Sequence, residues 1–442
     1  MERYILIGLR GTGKSTIGKR MAKILGIPFY DTDTLIEGRA GCTIPEIFLA
    51  IGEAGFREIE REMIASLPEG PAVIATGGGA VMDQKNAESL RKEAHIILLT
   101  ADPEVLEARI MGGSRPPLTE LSLSDEIRQI SKIRMPIYRG LADICMDTGM
   151  VNADEAASSI LTSQERDTEE GVKTLRRMSL DPDLIKTPLL FGITGNPVSH
   201  SKSPHLYNRL FSEYAIPGKY LFLPAGSAEE AITTMQALGA KGLSVTIPFK
   251  ETMVSRIDEP DPDVTAIGAL NTVVSCGGKL YGHNTDWIGI REPLQGHKGA
   301  DALVVGAGGA AAAAVYALQS LDMNVIIANR TEERGRALAR RFGCTSAPIS
   351  SSRKVDLIIN ATPVGMKEGD GSPVPSELLR PGVTVFDLVY TPPMTRLLKN
   401  AHASGCTIIP GTELFIHQAR AQFKLLTGID PGLDRIREVL SS

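Results

Sequence analysis

The chain has 442 residues, 43% of them hydrophobic, with a formal net charge of −5 and five cysteines. This length points to two or three domains with ordinary globular cores, and the acidic balance argues against a nucleic-acid or membrane-surface protein. No apolar run reaches membrane-spanning length. Cys42, Cys145, Cys276, Cys344 and Cys406 form no C-x-x-C pair, so neither a disulfide framework nor a zinc site is expected, which fits a reducing cytoplasm.

The first predicted strand, Tyr4–Gly8, lies so near Met1 that no signal peptide is expected. It runs into G-x-x-x-x-G-K-S at Gly8–Ser15, and Ile17–Leu25 then has helical spacing. Strand, loop and helix in that order form the context of a phosphate-binding loop. Its glycines turn backbone N–H groups toward phosphate oxygens, Lys14 can reach the β/γ-phosphates, and the Ser15 hydroxyl can ligate Mg²⁺. A second predicted strand ends in Phe29-Tyr30-Asp31-Thr32-Asp33. Carboxylates at i and i+2 are expected on one side of an extended segment, one serving Mg²⁺ and the other an acceptor hydroxyl. Arg57, within Gly52–Glu60, offers a planar fork suited to a carboxylate. Further strands are predicted at Ala72–Thr76 and His95–Thr100. After the first of these, Gly77-Gly78-Gly79 permits close backbone approach to a ligand. Gly112–Leu118 reads as a glycine-hinged lid carrying Arg115, and Arg134 precedes a proline turn at Pro136. The alternation of β and α patterns argues for a parallel sheet covered by helices over residues 1–165.

Residues 166–186 read as a linker. A second α/β unit covers 187–288, beginning with the strand Leu189–Thr194, and a third covers 289–412. The C-terminal helical stretch, 413–442, is expected to pack back on the second unit. In that unit, Gly192–Pro204 is a strand running into a hydroxyl-rich loop, suited to a polyol or carboxylate. Ser244–Lys250 is a strand end carrying a lysine, and Gly268–Thr272 and Gly282–Asp286 add amides and a carboxylate. A lysine beside an aspartate can act as a proton-transfer pair. In the third unit the strand Ala302–Val305 leads into Gly306-Ala307-Gly308-Gly309-Ala310-Ala311, a G-x-G-x-x-A dinucleotide fingerprint. The strand Asn324–Ala328 ends where the ribose-reading residue belongs. Asn329, Arg330 and Thr331, then Arg334, stand there in place of an acid, which favours NADP over NAD.

Taken together, the motifs of the first region resemble shikimate kinases: the P-loop, D-x-D, G-E-x-x-F-R-x-x-E, G-G-G, a lid R-P and R-x-P-x-Y occur in order. The resemblance implies that Ser15 and Asp31 handle Mg²⁺ and that Asp33 holds and orients or deprotonates the attacking shikimate hydroxyl. It implies that Arg57 and Arg134 clamp the carboxylate and that Gly78 and Gly79 line the ring. ATP would meet Gly11, Gly13, Lys14, Ser15, Thr16 and Arg115, with Lys14 and Arg115 catalytic through their charge. Pro117 stands where the family more often has leucine.

Residues 188–440 resemble shikimate dehydrogenases through G-N-P-x-x-H-S-K-S-P, S-V-T-x-P-F-K, G-A-x-N-T, N-T-D, G-A-G-G-A, N-R-T and N-A-T-P-x-G-M. That resemblance implies a substrate lobe followed by a Rossmann NADP lobe. Substrate would contact Ser201, Ser203, Thr246, Asn271, Asp286 and Gln418, with Tyr390 nearby and Lys250 and Asp286 as the catalytic pair. NADP would contact Gly306, Gly308, Gly309, Ala310, Asn329, Arg330, Thr331, Arg334, Thr362 and Gly411. Thr412 and Leu426 depart from the family's more common glycine and tryptophan.

The two resemblances imply a cytoplasmic fusion, monomer or homodimer, acting only on small molecules. Its C-terminal half would reduce 3-dehydroshikimate to shikimate with NADPH. Its N-terminal half would phosphorylate shikimate with ATP and Mg²⁺. An NAD-dependent quinate/shikimate dehydrogenase is the rival reading, opposed by Ser201, Ser203 and the arginines after Asn329. A non-catalytic half is opposed by Lys14, Asp33, Lys250 and Asp286.

Overall fold

The computed structural model describes residues 3–111, 121–162, 168–199, 201–349, 355–367 and 369–441. The expected lid with Arg115 and Pro117 lies outside the described residues, as do His200 and the first residues of the expected linker.

Three sheets organise the described chain. The first contains β1 (Arg3–Ile7), β2 (Phe29–Asp31), β3 (Ala72–Ala75), β4 (Ala94–Thr100) and β5 (Ile144–Asp147), ordered β2-β3-β1-β4-β5 and parallel throughout. Helices cover both of its faces, so its strands are continuous apolar runs rather than alternating ones. The two-residue strand period still sorts β1: Tyr4 and Leu6 join Ile17 and Met21 of the Lys14–Leu25 helix, whereas Ile5 and Ile7 face the core that holds Tyr138 and Leu141.

The second sheet comprises β6 (Leu189–Thr194), β7 (Gly218–Phe222), β8 (Gly242–Val245), β9 (Glu259–Pro260), β10 (Thr272–Cys276) and β11 (Lys279–His283), ordered β7-β6-β8-β10-β11-β9. It is mixed, because β10 runs antiparallel to β8 and to β11. The β10–β11 hairpin turns at Gly277 and Gly278, both at positive φ. The helices Gly411–Thr427 and Leu433–Ser441 bury Phe415, Phe423 and Ile436 in this unit's core, beside Phe191 and Phe211.

The third sheet contains β12 (Asp301–Val305), β13 (Asn324–Ala328), β14 (Thr345–Ser346), β15 (Leu357–Asn360), β16 (Thr384–Asp387) and β17 (Thr407–Ile409). Its order, β14-β13-β12-β15-β16-β17, is all parallel and reverses beside β12. Open α/β sheets bind dinucleotides at such a reversal, outside the carboxyl ends of the strands.

Three local expectations need correction. Pro136 sits inside the continuous helix Leu123–Leu141, not in a turn after Arg134. The ring removes one intrahelical bond, but burial of Ile127, Tyr138 and Leu141 holds the helix together. Asp33 is not on an extended strand with Asp31: Asp31 ends β2 and caps the Thr32–Ala40 helix, accepting from the Asp33 amide at 3.1 Å. The cysteines are not all thiols, because Cys145 on β5 and Cys276 on β10 form a disulfide across 131 residues. The partners belong to different sheets, so spacing along the chain carried no sign of them.

That disulfide lies in a broad contact between the kinase-like unit and the second unit. The Leu123–Leu141 helix packs against the Gly411–Thr427 helix. A Cβ on Gly140 would fall 2.6 Å from the Gly428 nitrogen, so only glycine allows this approach. The buried Lys241 amine donates to the Gly140 carbonyl, and the Arg139 guanidinium lies 3.4 Å from the Tyr281 ring centre.

Candidate active sites

The first site forms at the carboxyl ends of β1, β2 and β3. Gly8, Gly11 and Gly13 all have positive φ, which folds the loop back over the start of the Lys14–Leu25 helix. At Gly8 the conformation leaves no alternative, since a Cβ would lie 2.3 Å from the Leu99 carbonyl. Lys14 Nζ donates to the Gly8 and Leu9 carbonyls, each at 2.9 Å, which fixes the ammonium at the mouth of the loop. Ser15 Oγ donates to Asp31 Oδ2 at 2.5 Å, bringing together a hydroxyl and a carboxylate of the kind a hard cation prefers. Thr16 is exposed on the next helical position.

The three glycines after β3 each leave space for one charged side chain. A Cβ on Gly77 would lie 2.6 Å from Asp33 Oδ1, one on Gly78 would lie 3.5 Å from Arg134, and one on Gly79 would lie 2.6 Å from Arg57. Asp33, Arg57 and Arg134, which are far apart in the chain, therefore converge over a single backbone turn. Two cations and a carboxylate around a concave floor can take an anionic polyol, with the acid left for a hydroxyl.

Three supporting groups escaped the sequence reading. Glu60, 1% exposed, holds Arg57 Nη1 at 2.7 Å. Burial pushes the Glu60 carboxyl up, although Arg57 pulls it down. Tyr138 donates to the Gly78 carbonyl and fixes the glycine turn; its own hydroxyl is shifted up by burial. Arg109 donates to Thr148 at 2.7 Å and reaches the Gly11 carbonyl at 3.4 Å, placing another cation beside the phosphate loop. Glu60 and Tyr138 stood within the quoted motifs at helical spacings of three and four from Arg57 and Arg134; nothing local distinguished Arg109.

The second site is a cavity of about 570 Å³ between the second and third sheets, a size suited to a small organic ligand. Ser201, Ser203, Thr246, Lys250, Asn271, Asp286, Tyr390 and Gln418 line it, and so do Gly308, Gly309, Ala310 and Thr362. Ser203 opens the helix Ser203–Glu213, and its amide donates to Ser201 Oγ at 3.2 Å. Lys250 Nζ donates to Asp286 Oδ2 at 2.6 Å, while Asp286 Oδ1 accepts from Asn271 at 3.0 Å. Asn271 also donates to Thr285 and Gln418. The Asp286 carboxylate is thus fixed from both sides, and it aims the lysine into the cavity. Burial raises the Tyr390 hydroxyl's pKa.

Behind this wall lies a buried hydrogen-bond network absent from the sequence reading. Gln422 Oε1 accepts from Tyr207 at 2.8 Å and from Ser244 at 2.7 Å. Its amide donates to the Asn271 carbonyl at 3.0 Å and to Thr272 at 2.7 Å. Tyr220 donates to Ser244. The available signal was spacing: Gln422 follows Gln418 by one helical turn and shares its face.

The third sheet contributes a dinucleotide cradle. Gly306 has φ +127, and a Cβ there would lie 2.9 Å from the Ala361 carbonyl. A Cβ on Gly308 would meet nothing within 4 Å, leaving room above the start of the helix Gly309–Gln319. Anionic groups are favoured there by the helix N-terminus. Asn329, Arg330, Thr331 and Arg334 lie beyond the cavity, after β13. The neighbouring acids Glu332 and Glu333 pair with Arg336 and Arg340, whereas Arg330 and Arg334 pair with no carboxylate among the described residues. This donor set fits a 2′-phosphate. Gly411 does not line the cavity; it starts the Gly411–Thr427 helix, pressed so closely to Val389 that a Cβ would come within 2.5 Å.

Comparisons with known proteins match different parts of the chain to two enzyme families. Residues 10–165 match the family model for shikimate kinase. Residues 193–273 match the shikimate dehydrogenase substrate binding domain, 290–364 the shikimate/quinate 5-dehydrogenase, and 411–440 the shikimate 5'-dehydrogenase C-terminal domain. The shikimate dehydrogenase (NADP(+)) of Pyrococcus abyssi is 38% identical over 257 residues, which are 57% of this chain and 96% of that protein. Its counterpart from Pyrococcus furiosus is 40% identical over 57% of this chain and 94% of its own length. A crystal structure of the Thermus thermophilus shikimate 5-dehydrogenase with NADP(H) and shikimate is similar at a TM-score of 0.55 and 34% identity, covering 57% of this chain and 98% of that one.

Proposed function

The chain belongs to the shikimate dehydrogenase family and carries a shikimate kinase domain in front of it; from that premise we propose how its two sites work in a bifunctional enzyme of the shikimate pathway. Its C-terminal half reduces 3-dehydroshikimate to shikimate with NADPH, and its N-terminal half phosphorylates shikimate at the expense of ATP. The observation that carries this reading is the Lys250–Asp286 pair, 2.6 Å apart in a cavity that also reaches the dinucleotide glycines.

When bound, NADPH supplies the hydride for the substrate carbonyl carbon. Lys250 gives the proton that the carbonyl oxygen needs, and takes it back in the reverse direction. Asp286 keeps the ammonium in place, and Asn271 keeps Asp286 in place. Ser201, Ser203, Thr246, Gln418 and Tyr390 hold the polyol and its carboxylate. Gly306, Gly308, Gly309, Ala310 and Thr362 receive the cofactor, Arg330 and Arg334 select its 2′-phosphate, and Asn329 and Thr331 complete the approach.

In the kinase half, Arg57 and Arg134 hold the shikimate carboxylate, while Asp33 orients the attacking hydroxyl and accepts its proton. The Gly11–Thr16 amides and Lys14 balance phosphate charge as it develops. Arg115, outside the described residues, is proposed to add positive charge near the phosphates. Ser15 and Asp31, a hydroxyl and a carboxylate brought together at the loop, would hold Mg²⁺, which would offset phosphate charge. We read the protein as cytoplasmic, a monomer or homodimer that acts on small molecules alone.

The cofactor and substrate assignment is tested by measuring turnover of shikimate and of quinate, each with NADP and with NAD. Shikimate with NADP is expected to be the best pairing; a higher kcat/KM for quinate with NAD would favour the rival.

A further inference from the structure

We propose that Cys145 and Cys276 are a site of reversible oxidation that takes a small-molecule disulfide as its oxidant and fastens the kinase domain to the dehydrogenase domain. Cys145 lies on β5, at the edge of the first sheet, and Cys276 closes β10 just before the Gly277-Gly278 turn. Their Cα atoms are 5.5 Å apart although 131 residues separate them. That distance is in the range a disulfide bridges without backbone movement.

The two cysteines meet because the domains are already docked by other means. Gly140 lets the helix backbones approach, Lys241 bonds the Gly140 carbonyl, and Arg139 covers Tyr281. Cys276 and Tyr281 pack into the apolar core that holds the kinase residues Tyr138 and Leu141. Docking therefore holds the second thiol beside the first at high effective concentration. The other cysteines are poor competitors. Burial pushes the Cys344 and Cys406 thiols up, away from the reactive thiolate, and Cys42 is exposed with no cysteine beside it.

The chemistry is two consecutive exchanges. The half-buried Cys145, as thiolate, attacks a sulfur of the small disulfide; one small thiolate leaves and a mixed disulfide forms. The Cys276 thiolate then attacks the Cys145 sulfur and expels the second small thiolate. Two protein thiols and one small disulfide become one protein disulfide and two small thiols, which take up the two protons. Excess small thiol runs the sequence backwards, so in a thiol-rich compartment the site rests reduced. The link joins segments continuous with both sites: β5 follows the helix that carries Arg134, and β10 follows Asn271.

The full chain should be equilibrated in defined ratios of oxidised to reduced glutathione, acid-quenched, alkylated and digested under denaturing conditions. The expected product is one linked peptide joining Cys145 and Cys276, leaving three alkylated cysteines, with a linked fraction that follows the ratio in both directions. In the oxidised chain both activities should be lost at one temperature. In the reduced chain kinase activity should be lost at least about 5 °C lower, and Cys145→Ser should show the lower value in both buffers. Cys276→Ala serves the same purpose if Cys145→Ser does not fold. Five alkylated cysteines at every ratio, links through Cys42, or equal inactivation temperatures for the oxidised and reduced chains would overturn the proposal.

Discussion

The two sites hold the same kind of ligand by different means. In the kinase half, charged side chains converge on a glycine floor, and the geometry depends on the absence of β-carbons at Gly77, Gly78 and Gly79. In the dehydrogenase half, the Lys250–Asp286 pair is fixed by a buried relay from Asn271 back to Gln422 and the tyrosines behind it. The first arrangement suits a reaction that gathers phosphate charge, the second a reaction in which one proton must reach one oxygen. The kinase site should therefore be sensitive to added volume and the dehydrogenase site to lost hydrogen bonds.

Removing the proposed proton donor should have the largest effect. Lys250→Ala is expected to lower dehydrogenase kcat by about 10³ while kinase turnover stays near that of the parent; loss of both activities would contradict independent sites. The mirror change, Lys14→Ala, should abolish phosphorylation and spare shikimate oxidation. Next comes Gly79→Ala. Its φ of −98° is ordinary, so the backbone tolerates alanine and the added Cβ acts through its 2.6 Å approach to Arg57. The KM for shikimate in the kinase reaction should rise roughly tenfold or more, with the KM for ATP little changed.

Smaller effects separate the Gln422 relay from Arg330 and Arg334. Gln422→Leu leaves the Tyr207, Ser244 and Thr272 hydroxyls short of a partner. It should destabilise by about 1–3 kcal/mol and raise the KM for shikimate in oxidation without moving the kinase constants. Arg330→Ala with Arg334→Ala should cut the preference for NADP over NAD by roughly ten- to a hundredfold, as the loss of charge-assisted bonds to one phosphate implies.

The interface supplies a pH test. Burial drives the Lys241 ammonium down to about 7, with Arg91 adding to the shift and Asp143 opposing it. The unfolded chain thus binds a proton that the folded one releases between about pH 7 and the ordinary lysine range. Stability should rise with pH across that window, by on the order of 5 °C in Tm from pH 7 to 9. Lys241→Met should flatten the rise.

Much of this was legible in the sequence because the motifs are local. A phosphate loop or a dinucleotide turn needs glycines at fixed spacing after a strand, and Gly8–Ser15 and Gly306–Ala311 lie where that rule puts them. The cavity-lining residues Ser201, Ser203, Thr246, Lys250, Asn271 and Asp286 stood out because each lies in a short recognisable run, whereas Tyr390 and Gln418 were expected only from the family resemblance. What stayed hidden acts across the chain. Arg109 meets Gly11 only after folding, Gln422 is one polar residue on a mostly apolar helix face, and Cys145 and Cys276 are brought together by a domain contact that no local pattern announces. Pro136 misled because its helix-breaking tendency is local, whereas the packing that overrides it is not.

The central claim is that one chain performs two consecutive steps, and a coupled assay tests it directly. Purified protein given 3-dehydroshikimate, NADPH, ATP and Mg²⁺ should form shikimate 3-phosphate, consuming NADPH and ATP in equal amounts. Shikimate that accumulates without phosphorylation, or ATP consumed without dependence on added 3-dehydroshikimate or shikimate, would contradict it.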